Sequence, residues 1–307
     1  MGGVTLHKLD QSGLIAFAGE DAQSFLQGQV SCDVGAPDNS TYGSYCTPKG
    51  RILATFLLWR AGQIFFMQLP ASLREPIQKR ISMFILRAKV KPTDASDAFA
   101  RLGIAGHEAA ETIKNVFGDV PAAPHDVTHL QEATLIRLSA ERFEIVVPAE
   151  KAPPIRDALK QRAEEAEPGR WEWLDIRAGI PWITPATQEA FVPQTVNLDL
   201  IGGVSFAKGC YPGQEIVARM HYRGQVKQRT HLVHIATQAA PEAGDKLYGA
   251  DMGGQSSGMI VNAAPAPDGG YDALAAIQTS SVEAGDVRWK APDGPALEFL
   301  PPPYDVR

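Results

Sequence analysis

Two glycines and a proline around one cysteine form the short segment of this sequence that predicts its local backbone most specifically. The segment reads Lys208-Gly209-Cys210-Tyr211-Pro212-Gly213-Gln214-Glu215. Gly209 and Gly213 allow backbone angles that other residues rarely adopt, and Pro212 suits the first position of a helix. The segment therefore predicts a turn that opens a helix, with Cys210 close to the free N–H groups of the first helical turn.

The position of Cys210 is typical of a reactive thiol. The dipole of a helix N-terminus stabilises a nearby anion, and Lys208 adds a positive charge two residues away. Both features favour the thiolate, the form of cysteine that attacks electrophiles and binds metals. Free cysteine is also among the most buried residue types, so a small core cysteine in a loop is an equal alternative.

Length and composition narrow the class of protein. A chain of 307 residues with 44% hydrophobic content predicts two or three domains with packed cores. It has no apolar stretch long enough to span a membrane and no basic segment followed by an apolar signal core, so we expect a cytoplasmic protein without a membrane partner. The formal charge of −6 argues against a broad nucleic-acid footprint, and no direct nucleic-acid partner is expected.

The cysteines and histidines do not predict a metal site. Cys32, Cys46 and Cys210 are widely separated, odd in number and without a Cys-x-x-Cys pair, so we expect reduced thiols rather than a disulfide scaffold or a zinc site. The seven histidines include no helix-spaced pair with a nearby acid.

Hydrophobic periodicity and turn residues predict an alternating first half and a β-rich end. Residues 171–223 lack periodicity and are dense in Gly, Pro and functional side chains, so this stretch is expected to be loop-rich and to form the site. The predicted helices cover about 22–28, 73–86, 107–117 and 153–166, and the predicted strands 51–59, 63–69, 98–104, 133–138, 143–147, 229–235, 258–262 and 271–278, with no helix beyond 227.

The eight residues from Lys208 to Glu215 match the signature Lys-Gly-Cys-[Tyr/Phe]-x-Gly-Gln-Glu of the YgfZ family, folate-binding proteins of iron–sulfur cluster maintenance. A match at all seven specified positions of an eight-residue signature is far more specific than a lone Gly-Cys. The resemblance covers most of the chain through further segments: Leu26–Val30, Cys46 with Lys49-Gly50, Ala178–Pro181, Phe191–Gln194, Asn197-Leu198, Gly202–Phe206, Arg219 and Arg223-Gly224.

This family is similar in fold to the T protein of the glycine cleavage system, an aminomethyltransferase that uses tetrahydrofolate. The resemblance therefore implies an α+β fold of three lobes arranged as a cloverleaf around a central folate channel. Two α/β lobes with antiparallel sheets would be followed by a C-terminal all-β, barrel-like domain. The implied domains are residues 1–95 with a return segment 168–225, an α+β middle domain 96–167, and a β domain 226–307.

The resemblance implies a folate-binding accessory protein that supports assembly or repair of iron–sulfur clusters in client enzymes, including those that thiolate tRNA. Its cofactor would be tetrahydrofolate or a derivative, and its partners client enzymes or assembly proteins. Cys210 would act as the ligand of a transient iron–sulfur cluster, as a nucleophile or as a redox partner. One cysteine cannot complete a four-thiolate cluster site, so a stably held cluster would need a partner.

Two alternatives belong to other functional classes. One is a tetrahydrofolate-dependent aminomethyltransferase or demethylase of the T-protein type. In T proteins a glycine-rich turn leads into a strand bearing a catalytic aspartate, but the corresponding strand here, Lys49–Phe56, has no carboxylate. T proteins also typically have aspartate at the position of Cys210. The other alternative is a scaffold whose signature turn only packs.

The candidate site residues follow from the signature and from the chemistry of folate. The resemblance assigns Trp171 as an aromatic platform, although core packing is an equal alternative. Arg177 stands where many relatives carry Glu, and Asp175 could replace that carboxylate only if the segment were extended. Glu215 is expected to complement the helix N-terminus rather than to act in catalysis. The candidate functional thiol is Cys210. The other signature residues are Lys208, Gly209, Tyr211, Gly213, Gln214, Glu215 and Arg219, and the candidates for folate binding are Trp171, Asp175, Arg177, Lys49 and Arg223. Lys49, Arg219 and Arg223 would face the anionic tail of folate, and the alternative is that they are solvated surface cations.

Overall fold

A computed structural model describes residues 3–35, 39–224 and 226–306 of the chain. The chain divides into two compact units, each built from separated segments. The first unit is Met1–Gln27, Asp33–Thr41 and Phe56–Trp171, and the second is Gly28–Cys32, Tyr42–Thr55 and Glu172–Arg307. The division into three domains expected from the sequence stays a prediction. Among the described helices, none has the length and apolar character needed to cross a bilayer.

The secondary structure mixes short helices with mostly antiparallel strands. The strands are β1 (Thr5–Lys8), β2 (Ser12–Ala18), β3 (Thr41–Cys46), β4 (Ile52–Ala61), β5 (Ile64–Pro70), β6 (Lys91–Asp94), β7 (Phe99–Ala105), β8 (Val127–His129), β9 (Thr134–Arg137), β10 (Arg142–Pro148), β11 (Glu164–Glu165), β12 (Gln228–Ile235), β13 (Lys246–Gly249), β14 (Ser256–Pro265), β15 (Tyr271–Gln278), β16 (Val287–Trp289) and β17 (Leu297–Phe299). The helices are α1 (Ala22–Gln27), α2 (Ala71–Ser82), α3 (Ala109–Phe117), α4 (Ala152–Lys160), α5 (Arg170–Arg177), α6 (Gln214–Arg223) and α7 (Thr279–Ala284).

A six-stranded sheet in the order β11-β1-β7-β10-β9-β8 forms the core of the first unit. Alternate residues of its strands point to one face and pack there with Ile113 of α3 and Leu159 of α4. The opposite face of the central strands carries buried polar residues instead, among them His7, Arg142 and Glu144. The predicted strands β7, β9 and β10 and helix α3 are confirmed.

The β4–β5 hairpin predicted from two apolar runs is confirmed. Arg60 pairs with Phe65 and Ala61 with Ile64 across a turn that contains Gly62, whose φ is +61°. Both strands belong to a five-stranded sheet in the order β3-β4-β5-β2-β6. Glycine suits this turn because it adopts a positive φ without a steric penalty.

Two predicted helices end earlier than their apolar patterns indicate. Helix α2 buries Leu73, Ile77 and Ile81 as predicted, but it ends at Ser82 rather than at residue 86. The chain there tightens into i to i+3 hydrogen bonds, such as the one from the Phe84 N–H to the Ile81 carbonyl. Helix α4 ends at Lys160 rather than at residue 166, because the following residues join the sheet as β11.

The last eighty residues form a six-stranded antiparallel sheet in the order β16-β13-β14-β15-β12-β17. An additional bridge between Arg288 and Ala296 links the two ends of this order, so the sheet is nearly closed and barrel-like. The predicted β-rich end is confirmed, with one exception. Helix α7 lies between β15 and β16, and its six residues are too few to give a periodic signal.

Candidate functional site

The signature turn rests directly on the backbone of a second turn in the same unit. Gly213 is the N-cap residue of α6 and has a φ of +84°. A Cβ at this position would lie 2.6 Å from both the Gly50 Cα and the Thr47 carbonyl oxygen, closer than real side chains approach. Only glycine therefore fits, and the predicted turn that opens a helix is confirmed. The expectation that Pro212 is the first helical residue is wrong, because the left-handed Gly213 delays the helix to Gln214.

Lys208 connects the signature turn to residues 28–32 of the same unit through hydrogen bonds. Its ammonium donates hydrogen bonds to the carbonyl oxygens of Val30 (2.8 Å) and Cys32 (2.7 Å). It also lies 5.4 Å from the centre of the Tyr211 ring. The positive charge expected to act on Cys210 is thus engaged by backbone carbonyls, and Lys208 holds segment 28–32 against the signature.

Cys210 is exposed, whereas the residue after it is buried. The Tyr211 side chain is 6% exposed, and burial raises the pKa of its hydroxyl. Cys32 and Cys46 are also buried, and burial raises the pKa of the Cys46 thiol to about 12. All three cysteines are described, so Cys210 is the one exposed thiol of the chain. The alternative of a buried core cysteine is wrong for Cys210.

Two buried polar atoms belong to the segments joined at the signature. The Tyr211 hydroxyl and the Gln29 side-chain carbonyl oxygen have no hydrogen-bond partner within the described part of the chain. Buried polar atoms in native proteins are almost always satisfied by protein, water or a ligand. Each of these two atoms is therefore able to form a hydrogen bond with a water molecule or a ligand.

The other signature residues lie around the first turns of α6. The Gln214 side-chain amide contacts the Lys208 carbonyl oxygen at 3.5 Å. Glu215 is exposed in the first turn, where its charge complements the helix dipole, and α6 has no side-chain hydrogen bond at its N-cap. Gly209 and Arg219 are exposed.

The cations predicted to face a folate tail are on the surface where they are described. Lys49 is exposed in the turn beneath Gly213. Arg223 is the last residue of α6, and its side chain lies outside the described residues. Their roles toward folate stay predictions.

Trp171 packs in the first unit against the polar face of its sheet. A Cβ at Gly103 would overlap the Trp171 ring, so the glycine provides the space for it. The Arg142 guanidinium lies 4.5 Å from the ring centre, and the His7 ring 5.1 Å away. Burial, with the charges of Arg142 and Arg170, lowers the pKa of His7 to about 4. Trp171 is only 9% exposed, and its role toward folate stays a prediction.

Asp175 lies on a helix rather than in an extended segment. Residues 170–177 form α5, where the side chains of Asp175 and Arg177 do not share a face. Asp175 is buried and accepts a hydrogen bond from the Trp182 indole N–H at 2.8 Å. The condition under which it could replace the carboxylate at position 177 is therefore not met.

Arg177 and Trp173 lie one turn apart on α5 and share a partner in the C-terminal sheet. The Trp173 indole N–H donates to the Asp272 carboxylate at 2.9 Å, and the Arg177 guanidinium lies 3.5 Å from the same oxygen. His234 hydrogen-bonds the other Asp272 oxygen at 2.9 Å. Asp272 was not predicted from the sequence, where its one signal is a carboxylate directly before the apolar run 273–277.

The second unit thus brings together the signature, segment 28–32 and the turn around Gly50. It also contains the Asp272 group, whereas Trp171 belongs to the first unit. The signature, segment 28–32 and the turn around Gly50 all include residues on which the sequence resemblance rests.

Comparison with known proteins identifies the relatives of this chain. Residues 2–169 match the model of the GCVT N-terminal domain. Proteins called "tRNA-modifying protein YgfZ" from Shigella sonnei strain Ss046 and Escherichia coli strain K12 / DH10B are each 32% identical over 309 residues. The alignments cover 99% of this chain and 94% of each relative.

The fold also matches a solved structure. The glycine cleavage system aminomethyltransferase T from Bartonella henselae superposes with a TM-score of 0.80 over 98% of this chain and 86% of that protein. The two sequences are 18% identical, so the match shows the fold alone. It confirms the predicted fold class of mixed α and β structure with antiparallel sheets and a barrel-like C-terminal sheet.

Proposed function

The chain belongs to the YgfZ family of tRNA-modifying proteins and has the glycine cleavage T-protein fold, and on this premise we propose that it is a folate-binding accessory protein. It supports the assembly or repair of iron–sulfur clusters in client enzymes, including enzymes that thiolate tRNA. The effect on tRNA is indirect, because the client enzyme carries out the modification. Cys210 contributes the thiol on which this support depends.

The observation that carries the proposal is the exposed Cys210 thiol on a turn whose backbone is fixed from two sides. Gly213 rests on Gly50, and Lys208 binds the carbonyls of segment 28–32. A structural cysteine is normally buried, as Cys32 and Cys46 are. A thiol that is held in place and open to solvent can instead reach a cluster or a thiol of a partner protein.

The second unit contains cations and hydrogen-bonding groups that suit a folate ligand. Exposed Lys49 and Arg219 and half-exposed Arg177 are cations suited to the carboxylates of folate. The buried Tyr211 hydroxyl and Gln29 carbonyl oxygen are polar groups with an open hydrogen-bonding position. A bound reduced folate would supply one-carbon or redox chemistry.

Aminomethyl transfer of the T-protein type is the competing function. It requires a general base on the strand that follows the Lys49-Gly50 turn. In this chain the corresponding strand is β4, and its residue Ala54 is fully buried and has only a methyl group. The strand therefore offers no carboxylate to the reaction.

The test is a calorimetric titration of the purified protein with tetrahydrofolate, followed by an assay with an S-aminomethyl thiol, whose donor carbon is already at the oxidation level of methylene-tetrahydrofolate and which releases ammonia on transfer. We expect saturable binding of tetrahydrofolate and no folate product. Absence of binding would refute the folate role, and donor-dependent formation of methylene-tetrahydrofolate would favour the transferase.

A further inference from the structure

Three large apolar side chains are exposed close together in sequence, directly after helix α2. Met83 is 67% exposed, Phe84 48% and Leu86 89%, and we call these three residues the apolar patch. The other exposed large apolar residues in the described part of the chain are far apart in sequence: Ile64, Leu200 and Tyr222. Single exposed apolar residues are ordinary on a protein surface, whereas a group of them marks an interaction site.

Hydrogen bonds hold the backbone on both sides of the apolar patch. The N–H groups of Met83 and Phe84 donate to carbonyl oxygens in the last turn of α2. Further along the chain, the Lys89 N–H donates to the Asp21 carboxylate at 2.7 Å, and the Asp21 N–H donates to the Lys89 carbonyl oxygen at 3.2 Å. A surface that is ordered before binding loses less conformational entropy when a partner covers it.

Basic residues flank the apolar patch in sequence. Residues 76–93 include no acidic residue, in a chain with a formal charge of −6, and they include five cations: Lys79, Arg80, Arg87, Lys89 and Lys91. Lys79 and Lys89 pair with glutamates. Arg87 is exposed and has no carboxylate within 4 Å among the described residues. A partner surface that carries carboxylates would complement this unpaired charge.

The composition of the patch and its surroundings favours a protein partner over RNA or a lipid surface. Met83 and Leu86 have no ring that could stack on a nucleobase. The carboxylates of Glu20 and Glu75 lie beside Lys89 and Lys79, where they would repel anionic lipid headgroups. A protein groove with an apolar floor and a polar rim can accommodate both the apolar side chains and the mixed charges.

We propose that the apolar patch binds an apolar groove of the client enzyme and that Arg87 pairs with a carboxylate at the rim of that groove. The inference rests on the proposed function, which requires a client protein, and adds the surface that binds it. The apolar patch belongs to the first unit and Cys210 to the second, so substitutions can impair client binding without touching the thiol.

The test measures the dissociation constant between the purified protein and a purified iron–sulfur enzyme that thiolates tRNA in the same organism. Leu86→Ser and Met83→Ser change side chains that face water in the free protein, and each should weaken binding by about 10-fold or more because the apolar burial is lost. Arg87→Gln should weaken binding less and reduce its dependence on salt, as expected for a rim charge. The matched control is Ile64→Ser, an exposed apolar residue of the same unit outside the patch, and it should bind as the wild type does.

The proposal is overturned if the wild-type protein does not bind the enzyme, or if Leu86→Ser and Met83→Ser bind it as tightly as the wild type. It is also overturned if the patch instead mediates sedimentation with phosphatidylglycerol vesicles or binding to unmodified tRNA, lost in both serine variants.

Complementation of a strain that lacks this protein separates a failure of client binding from a failure of the proposed function. At low expression, Leu86→Ser should restore fewer thiolated tRNA nucleosides than the wild type, and a higher protein level should compensate by mass action. Cys210→Ser should fail at either level. Equal restoration by Leu86→Ser and the wild type at low expression would overturn the role of the patch while leaving the thiol role intact, whereas restoration by Cys210→Ser would refute the thiol role alone.

Discussion

Replacing Gly213 by alanine should break the contact that fixes the signature turn. Two effects add in this variant. A φ of +84° costs a residue with a Cβ about 1–2 kcal/mol. The new Cβ would also lie 2.6 Å from backbone atoms of Gly50 and Thr47, and overpacking of this kind costs about 1–3 kcal/mol. The expected loss is about 2–5 kcal/mol, because backbone atoms cannot rotate out of the way.

Gly209→Ala is the matched control from the same turn. A Cβ at Gly209 meets no heavy atom within 4 Å, and its φ is not among the positive ones. Alanine at such a position should change the stability by less than about 1 kcal/mol.

The labelling rate of the buried Cys46 thiol measures this contact in the native protein, because Gly213 packs on the turn that follows Cys46. Labelling requires the local structure to open, and a loss of about 2 kcal/mol raises the open population about 30-fold. Cys46 should therefore react at least about 30 times faster in Gly213→Ala than in Gly209→Ala. Equal rates in the two variants would show that the Gly213–Gly50 contact does not hold the turn.

Three further results are expected. A thiol reagent should modify Cys210 alone in the native protein and the two buried cysteines only after unfolding. Rapid reaction of a second thiol in the native protein would contradict the burial of Cys32 and Cys46. Because folding lowers the pKa of His7 from 6.5 to about 4, the unfolded state takes up its proton first, so stability should fall as pH drops below 6.5, by about 2 kcal/mol from pH 7.5 to pH 5. This loss should shrink in His7→Gln when urea denaturation is compared at the two pH values, and an unchanged loss would assign the pH dependence to other groups. Lys208→Met leaves two backbone carbonyls without their donor and should cost about 1–3 kcal/mol, whereas Lys49→Met, which changes an exposed lysine, should be neutral in the same denaturation assay.

Periodic elements could be predicted from the sequence because their pattern is local. Helix α3 and the β4–β5 hairpin follow from apolar spacing and a glycine turn, and both are found. Helix α5 could not be predicted in this way. Its eight residues have no single apolar stripe, and its side chains contact partners far away in sequence, such as Asp272.

The signature could be found from the sequence, but its supports could not. The left-handed Gly213 and the helix that follows it depend on residues adjacent in sequence, so a local pattern predicts them. The hydrogen-bond partners of Lys208 are 176 and 178 residues away in sequence, so its contact with segment 28–32 could not be predicted from its sequence neighbours. A long lysine side chain carries its charge well away from its own backbone, which adjacency cannot reveal.

The most direct test of the proposed function is whether the Cys210 thiol is required in cells. A strain that lacks this protein is complemented with the wild type, Cys210→Ser or the surface control Arg288→Gln at equal protein levels, and thiolated tRNA nucleosides are quantified by mass spectrometry. We predict that the wild type and Arg288→Gln restore the nucleosides and that Cys210→Ser does not, although it remains folded. Full restoration by Cys210→Ser would contradict a functional role of the thiol.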